Sequence, residues 1–347
     1  MRKGLYWSLL AAAVFVAALP REAAPQPKRE PAAVPAEYDP LTEWELVNGA
    51  AMEARARLKK KPRRPEAIRQ QIAGLAVRSA VGAERALAIG DASLFDSYRT
   101  QFREQFSDMR WRIGRMARQG GGAAEFALGV LALHGFFEPP AVETACRHFG
   151  AALARGYAGA RFRVSQCLEK DDPARAAALL REAADSGHPA AAELLGRACL
   201  EAKPRQAACA YERLTAAAAA GRPTAQSALA WMYAQGVGGK ADPARAARLY
   251  LQAARAGDAT AQNNAGELYE TGRGVKPDPK LALDWYRKAA EAGFAPAQFN
   301  LGRLYAAGTG TPRDFAEARK WLQQAERGGI VAARQLMDWM DKENPTK

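Results

Sequence analysis

Histidine, cysteine and aromatic residues are scarce in this chain. Its 347 residues include three histidines and four cysteines, and aromatic residues make up 8%. His134, His148 and His188 stand without carboxylate or cysteine partners at ligand spacing, and no cysteine pair has the C-x2-C spacing of zinc sites. The sequence therefore predicts no metal site.

Alternating runs of valine, isoleucine, threonine and aromatic residues are also missing, which argues against β-sheet. Hydrophobic residues nevertheless make up 48% of the chain, and alanine supplies most of the excess. Alanine is the best helix former, and its small side chain lets helices approach closely. The composition predicts an all-α protein that is long enough to bury a sizeable core.

Common catalytic constellations are absent as well. The chain has no G-x-S-x-G elbow and no S-x-x-K pair. Residues 236–240, GVGGK, resemble part of a phosphate-binding loop but lack its first glycine and the Ser or Thr after lysine. We therefore predict that the protein is not an enzyme and binds no cofactor.

The N-terminus has the pattern of an export signal. Arg2 and Lys3 precede an uncharged, mostly apolar stretch that ends at Pro20, which predicts a signal peptide or an uncleaved signal anchor over residues 1–20. Residues 21–40 are rich in proline and predict an extended tether. In either case the remainder is exported, so we expect a periplasmic protein that is tethered to the inner membrane if the signal is not cleaved.

The most informative feature is an internal repeat. Residues 260–295 and 296–331 align with a period of 36, and a glycine that can end a helix stands four residues before each alanine of the same register. The register alanines are Ala124, Ala160, Ala191, Ala225, Ala261, Ala297 and Ala333. Residues 121–347 are therefore predicted to form six full units and a C-terminal capping helix.

Each unit is predicted to contain two helices. The first runs from the register alanine to a glycine eleven residues later, as at Gly236, Gly272 and Gly308. The second opens with Asp-Pro at 242–243 and 278–279, where aspartate caps the free N–H groups and proline fits the first turn. The second and third units are shorter and lack the glycine loop.

The pattern A-x3-[LA]-G-x-LY-x2-G-x-G…DP-x-A…WY-x-KAAE-x-G resembles the Sel-1-like repeat family, a relative of the tetratricopeptide repeats. The match is close at residues 225–331, looser at 124–224 and absent before about 110. The resemblance implies a right-handed α-α superhelix, a solenoid of helical hairpins, used for protein–protein contact. We therefore expect a monomeric, non-enzymatic scaffold that binds a protein of the bacterial cell envelope.

Residues 41–120 are predicted to form an N-terminal helical region that caps the first hairpin. Two helices, 41–60 and 65–89, precede a third, which Asp91 or Ser93 could cap and which would run to Gly120. Its aromatic and methionine stripe is expected to pack in the core. The stripe consists of Phe95, Tyr98, Phe102, Phe106, Trp111 and Met116.

A basic cluster separates the first two of these helices, in a chain whose net charge is +13. It consists of Lys59, Lys60, Lys61, Arg63 and Arg64. The cluster is either a solvated loop or a site for an anionic partner, namely polysaccharide or lipid headgroups. Because no aromatic residues are interleaved for base stacking, we predict no nucleic-acid binding.

All four cysteines lie in the first three units. In an oxidising compartment an even number favours disulfides, and the predicted helices bring Cys146 near Cys167 and Cys199 near Cys209. The alternative is free buried thiols, because cysteine also behaves as a small hydrophobic residue.

The first helices of successive units should line the concave face of such a superhelix. Residues three and six positions after the register alanine lie off the core face and would repeat along it. These partner-binding candidates are Arg163, Gln166, Arg197, Trp231, Asn264, Glu267, Asn300 and Arg303. Amides and arginines with one exposed tryptophan suit a peptide or loop of a protein partner, although the face could also be merely solvated.

Overall fold

A computed structural model describes residues 40–59, 65–89, 91–106, 109–136 and 138–343. These residues form seventeen α-helices and contain no strand, which confirms the predicted all-α repeat solenoid. The predicted signal (1–20), the tether before Pro40 and Lys60, Lys61, Arg63 and Arg64 of the basic cluster lie outside the described residues. No described helix is both long and apolar enough to cross a membrane.

The helices fall into two compact units, unit 1 up to Ala220 and unit 2 from Gly221. The helices of unit 1 that precede the repeats are α1 (Pro40–Lys59), α2 (Pro65–Ile89), α3 (Ala92–Phe106) and α4 (Arg110–Arg118). Its three hairpins are α5 (Gly122–Leu133) with α6 (Val142–Ala154), α7 (Arg161–Leu168) with α8 (Pro173–Asp185), and α9 (Pro189–Glu201) with α10 (Ala207–Ala219).

Unit 2 contains three further hairpins and a final helix. They are α11 (Pro223–Gln235) with α12 (Pro243–Arg255), α13 (Ala259–Thr271) with α14 (Pro279–Glu291), α15 (Ala295–Ala307) with α16 (Phe315–Arg327), and α17 (Val331–Glu343). The six hairpins and the last helix follow the register of the seven alanines, all of which are buried.

Local sequence explains where these helices begin and end. The Asp278 carboxylate accepts hydrogen bonds from the backbone N–H groups of Lys280 and Leu281, at 3.0 and 3.1 Å, and so caps α14. Gly272 ends α13 with a φ of 75°, a left-handed conformation that favours glycine. Caps of this kind fix the length of each repeat.

One predicted element differs from the structure. The third helix, expected to run continuously to Gly120, is two helices, α3 and α4, and Asp91 rather than Ser93 caps the first of them. Trp111, expected in the core, is 55% exposed, whereas Ile113 is fully buried. Trp111 lies two residues before Ile113, so it falls off the face of α4 that the buried Ile113 and Ala117 share.

The helices before the repeats share a core with the first hairpins. Both α2 and α4 pack against α5. The ring of Phe102 lies edge-on to Phe136 at 5.2 Å, and Phe126 packs on Phe149 at 5.3 Å. The N-terminal helices therefore cover the apolar end that the first hairpin would otherwise expose to water.

Within a hairpin, a glycine five residues after the register alanine lets the two helices approach closely. A Cβ atom added at Gly129 would lie 2.5 Å from the Phe149 ring, and one at Gly266 would lie 2.7 Å from the Tyr286 ring. Both distances are well below van der Waals contact. The small residue therefore leaves room for the large side chain of the second helix.

We expect Gly129→Ala to lower the free energy of unfolding by about 2 kcal/mol, because the buried Phe149 ring must shift in a close-packed core. Gly150 in the same hairpin is a matched control. A Cβ there would meet nothing within 4 Å, so Gly150→Ala should stabilise α6 by about 0.5–1 kcal/mol. Urea unfolding of both variants measures the difference, and equal effects would refute the close-approach explanation.

Candidate functional site

The first helices of unit 2 carry a row of accessible polar side chains. These helices contact one another across repeats, α11 with α13 and α15 with α17. Asn264 and Glu267 lie on α13, and Asn300 and Arg303 lie on α15, at the third and sixth positions after the register alanine. Together with Trp231 on α11, they form what we call the inner row of unit 2.

Side-chain bonds tie the inner row together between α13 and α15. Asn300 Nδ2 donates to Asn263 Oδ1 at 3.0 Å. An Arg303 guanidinium nitrogen donates to both carboxylate oxygens of Glu270 at 2.7 Å. These contacts hold polar groups of neighbouring repeats in one arrangement before any partner binds.

Glu270 is a residue that the sequence analysis missed. Its Oε2 also accepts a hydrogen bond from the Tyr286 hydroxyl at 3.0 Å. Burial, followed by the neighbouring Glu270 charge, raises the pKa of Tyr286 above its ordinary value, so the phenol stays protonated and donates. Glu270 lies three residues after Glu267 on the same helix face, and extending the register by three positions would have found it.

The remaining members of the inner row are less constrained. Trp231 is half-buried against the alanine and tyrosine core of its hairpin. Asn264 is half-buried, and Glu267 is exposed with one carboxylate oxygen 3.6 Å from Arg273. Such a pair is weak in water, so Glu267 can exchange it for a contact with a partner.

In unit 1 the predicted binding residues have different surroundings. Arg163 donates through Nε to Glu84 Oε2 at 2.8 Å and through another guanidinium nitrogen to Gln166 Oε1 at 2.7 Å. Arg197 is half-buried on α9. Arg163 is thus engaged by an internal carboxylate, and Gln166 supports it.

Glu84 also binds a histidine that the sequence analysis left without a carboxylate partner. Its Oε1 lies 2.9 Å from His134 Nε2, and its side chain is 8% exposed. Burial alone would raise the pKa of the Glu84 carboxyl, but the charge of Arg163 and the bond to His134 hold that pKa below its ordinary value. Glu84 is therefore a buried carboxylate joining α2 to α5 and α7.

A second carboxylate in unit 1 has a similar setting. Glu125 Oε2 lies 2.7 Å from His148 Nδ1, and Glu125 Oε1 accepts from Arg155. His188 instead caps α9 through Nδ1, which accepts from the backbone N–H of Ala191 at 3.3 Å. Over the described residues, no group of three or more histidine, cysteine and acidic side chains could hold a metal ion.

Both predicted cysteine pairings are confirmed. Cys146 on α6 is bonded to Cys167 on α7, with Cα atoms 5.8 Å apart. Cys199 on α9 is bonded to Cys209 on α10, with Cα atoms 6.0 Å apart. The Cys146–Cys167 bond joins successive hairpins. The Cys199–Cys209 bond closes one of the two hairpins that lack the glycine loop.

A comparison with protein families identifies the repeats. The family described as Sel1 repeat matches residues 160–188, 223–258, 259–294 and 295–330. The chain contains four Sel1 repeats. Three of these matches are the hairpins of unit 2, and the fourth is the hairpin of α7 and α8.

Solved structures support the same fold. A Sel1 repeat protein from Oxalobacter formigenes is 24% identical, with a TM-score of 0.53, over 71% of this chain and 96% of its own. A protective antigen present in uropathogenic Escherichia coli strains, displaying an SLR fold, is 19% identical with a TM-score of 0.61, over 88% of this chain and 68% of its own. No curated protein matches the chain significantly.

Sel1 repeats form a non-enzymatic scaffold fold and generally mediate protein–protein interaction. The family matches leave the hairpins α5–α6 and α9–α10 unmatched, although both follow the alanine register. The Sel1-repeat assignment therefore rests on four of the six hairpins, and the other two are supported by the register and the structure.

Proposed function

We propose that this protein is an exported, monomeric scaffold that binds another protein of the cell envelope and catalyses no reaction. The inner row of unit 2 carries this proposal. It combines a tryptophan, two amides and two charged groups on helices that contact one another. Amides can bond to the peptide groups of an extended partner segment, and tryptophan and arginine are the residues that most often anchor protein interfaces.

The cysteines support the periplasmic part of the proposal. Within the described residues there is no free cysteine, because all four are paired. Disulfides persist in oxidising compartments such as the periplasm and are rare in the cytosol. The N-terminal export pattern predicts the same compartment, with a membrane tether if the signal is not cleaved.

The end of unit 2 favours a monomer. In α17, Asp338 and Asp341 occupy the register positions where α15 has Gly302 and Tyr305. Both aspartates are exposed and paired, Asp338 with Arg334 at 3.3 Å and Asp341 with Arg319. Charges at these two positions oppose the stacking of a second copy of the chain on them.

Charge reversal on the inner row should abolish partner capture. We expect the double variant Asn264→Arg, Glu267→Arg to retain less than about one tenth of the envelope proteins captured by the wild type, since it removes an amide and reverses a charge on the surface that the partner is proposed to contact. The measurement is affinity capture with quantitative mass spectrometry, followed by titration of the purified partner.

The control is Gln252→Arg, Glu291→Arg, which adds the same charge on exposed positions of the second helices α12 and α14. This control should capture the same envelope proteins as the wild type, in similar amounts. If both double variants capture equally, the inner row is not the binding surface.

A second function is favoured by a specific observation in unit 1. The charge of α4 is of one sign, because this helix carries four arginines and no acidic residue. We therefore also propose that the N-terminal region binds an anionic envelope component, polysaccharide or lipid headgroups, by electrostatic attraction.

A further inference from the structure

The outward face of α4 combines a tryptophan with two exposed arginines. Trp111, Arg115 and Arg118 follow the i, i+4, i+7 spacing that places residues on one side of a helix. All three are exposed, and Trp111 is 55% exposed. The opposite side of the helix is fixed to the core through Ile113 and Ala117, which are almost fully buried.

The other arginines of α4 show which charges are already neutralised. Arg112 is 5% exposed and donates to Glu66 Oε1 at 2.6 Å, and Arg110 pairs with Glu138. The Glu66 carboxyl has a pKa below its ordinary value, chiefly because Arg112 donates to it. The charges of Arg69 on α2 and of Arg115 also act on Glu66. One carboxylate therefore faces three arginines, and the described groups around Trp111 have a net positive charge.

Trp111 is held in place rather than free to fold away. The guanidinium carbon of Arg112 lies 4.2 Å from the centre of its ring, a cation–π contact that covers one face of the indole. Because Arg112 is itself fixed by Glu66, the ring is presented to solvent in a defined position. Covering the exposed part of this indole with an apolar surface would be favourable in free energy.

We propose that this face of α4 binds the interface of an anionic phospholipid bilayer. The indole of Trp111 inserts at headgroup level while Arg115 and Arg118 contact lipid phosphates. The inference deepens the second function proposed above and rests on it. It commits to lipid as the anionic partner and to Trp111 as the residue that enters the membrane surface.

Lipid fits this surface better than an extended polyanion does. Polymer strands are usually gripped by several aromatic rings in succession along a groove. Among the residues of α1 to α4 whose side chains the structure describes (50–59, 66–87, 92–106 and 110–118), the large exposed apolar side chains are Met52 and Trp111, and they do not form such a series. A bilayer interface instead accepts a single indole flanked by cations.

The test is co-sedimentation of the full chain with vesicles of phosphatidylcholine, with and without phosphatidylglycerol. We expect the wild type to prefer the anionic vesicles. Arg115→Gln, Arg118→Gln should lower its partition coefficient about 30-fold at low salt, given the usual contribution of each arginine near an anionic surface. Trp111→Ala should lower it about tenfold.

Matched controls separate local from general effects. Arg255→Gln, Arg327→Gln removes the same charge from exposed positions of unit 2, and Trp339→Ala removes another exposed tryptophan. Neither should change the partition coefficient. All variants keep the apolar residues of the N-terminus, so a difference in binding between them reports on α4. Circular dichroism checks that each variant is folded.

The outcomes distinguish the inference from the function on which it rests. If the arginine variant loses binding but Trp111→Ala does not, electrostatic binding stands and indole insertion is wrong. If the chain binds a soluble uronate polysaccharide through these arginines and ignores vesicles, the second function stands and lipid is the wrong partner. If no α4 variant differs from its control in either assay, both are wrong.

Quenching of tryptophan fluorescence by brominated lipid gives an independent result. The chain has seven tryptophans, and we expect partial quenching in anionic vesicles that disappears in Trp111→Phe. Quenching that persists unchanged in this variant would show that Trp111 does not enter the bilayer.

Discussion

Reduction of the two disulfides is expected to lower the free energy of unfolding of unit 1 by about 6 kcal/mol. The bonds close loops of 21 and 10 residues. Loop-closure entropy for such lengths corresponds to about 3 kcal/mol for each bond. Unit 2 contains no cysteine, so its stability should change little.

This difference between the units is measurable by hydrogen exchange with and without reductant. Peptides from α6 to α10 should lose protection on reduction, whereas peptides from α11 to α17 should keep it. A variant with all four cysteines replaced by alanine is the control and should not respond to reductant. Equal protection of unit 1 in both conditions would contradict the prediction.

The location of the bonds shows why unit 1 needs them. Its hairpins α7–α8 and α9–α10 belong to the units of the sequence that are shorter and lack the glycine loop. Their second helices carry Leu180 and Leu214 in the core, where α12 and α14 of unit 2 have Tyr250 and Tyr286 and α16 has Leu322. Each tyrosine buries more apolar area than a leucine, so the disulfides strengthen two of the three hairpins that have leucine at this position.

The repeat fold was predictable because its signals are local and recur. A register alanine, a glycine four residues earlier and an Asp-Pro cap each act within one or two helical turns, and every copy repeats the evidence. The cysteine pairings followed from the same register, since it placed both partners on adjacent helices. The break after Phe106 was missed because that segment occurs only once and has no second copy to compare.

The pairing of Glu84 could not be predicted from the sequence. Its partners His134 and Arg163 are 50 and 79 residues away, and no motif links the three. The repeat register predicts an accessible Arg163 only if the first helix of its unit faces solvent at that position. In the structure the N-terminal helix α2 supplies the carboxylate, and the repeat pattern contains no information about α2.

Substitution of Glu84 is expected to have the largest effect of any single change in unit 1. Glu84→Ala should lower the free energy of unfolding by about 3 kcal/mol, since it leaves the Arg163 guanidinium, which is 18% exposed, without its counter-charge. Glu182 is a matched control: it pairs with Arg161 at 3.0 Å but is 56% exposed. Glu182→Ala should cost less than about 1 kcal/mol.

The dependence on pH has a definite sign. The folded-state pKa of Glu84 lies below its ordinary value of 4.5, so the native state binds the proton less readily than the unfolded chain does. The Glu84 carboxylate therefore contributes to the free energy of unfolding above the unfolded-state pKa, and this contribution is lost as the pH falls through the folded-state pKa. As the pH falls, the free energy of unfolding measured with urea should decrease more steeply for the wild type than for Glu84→Gln.

Combined replacement distinguishes an internal role for Arg163 from a role in binding. Removing both charges, in Glu84→Met with Arg163→Met, should recover much of the stability that Glu84→Ala loses, because no buried charge remains uncompensated. Envelope proteins should be captured by this double variant as by the wild type. If Glu84→Ala costs no more than Glu182→Ala and Arg163→Met alone abolishes capture, Arg163 belongs to the partner-binding surface and Glu84 does not hold it.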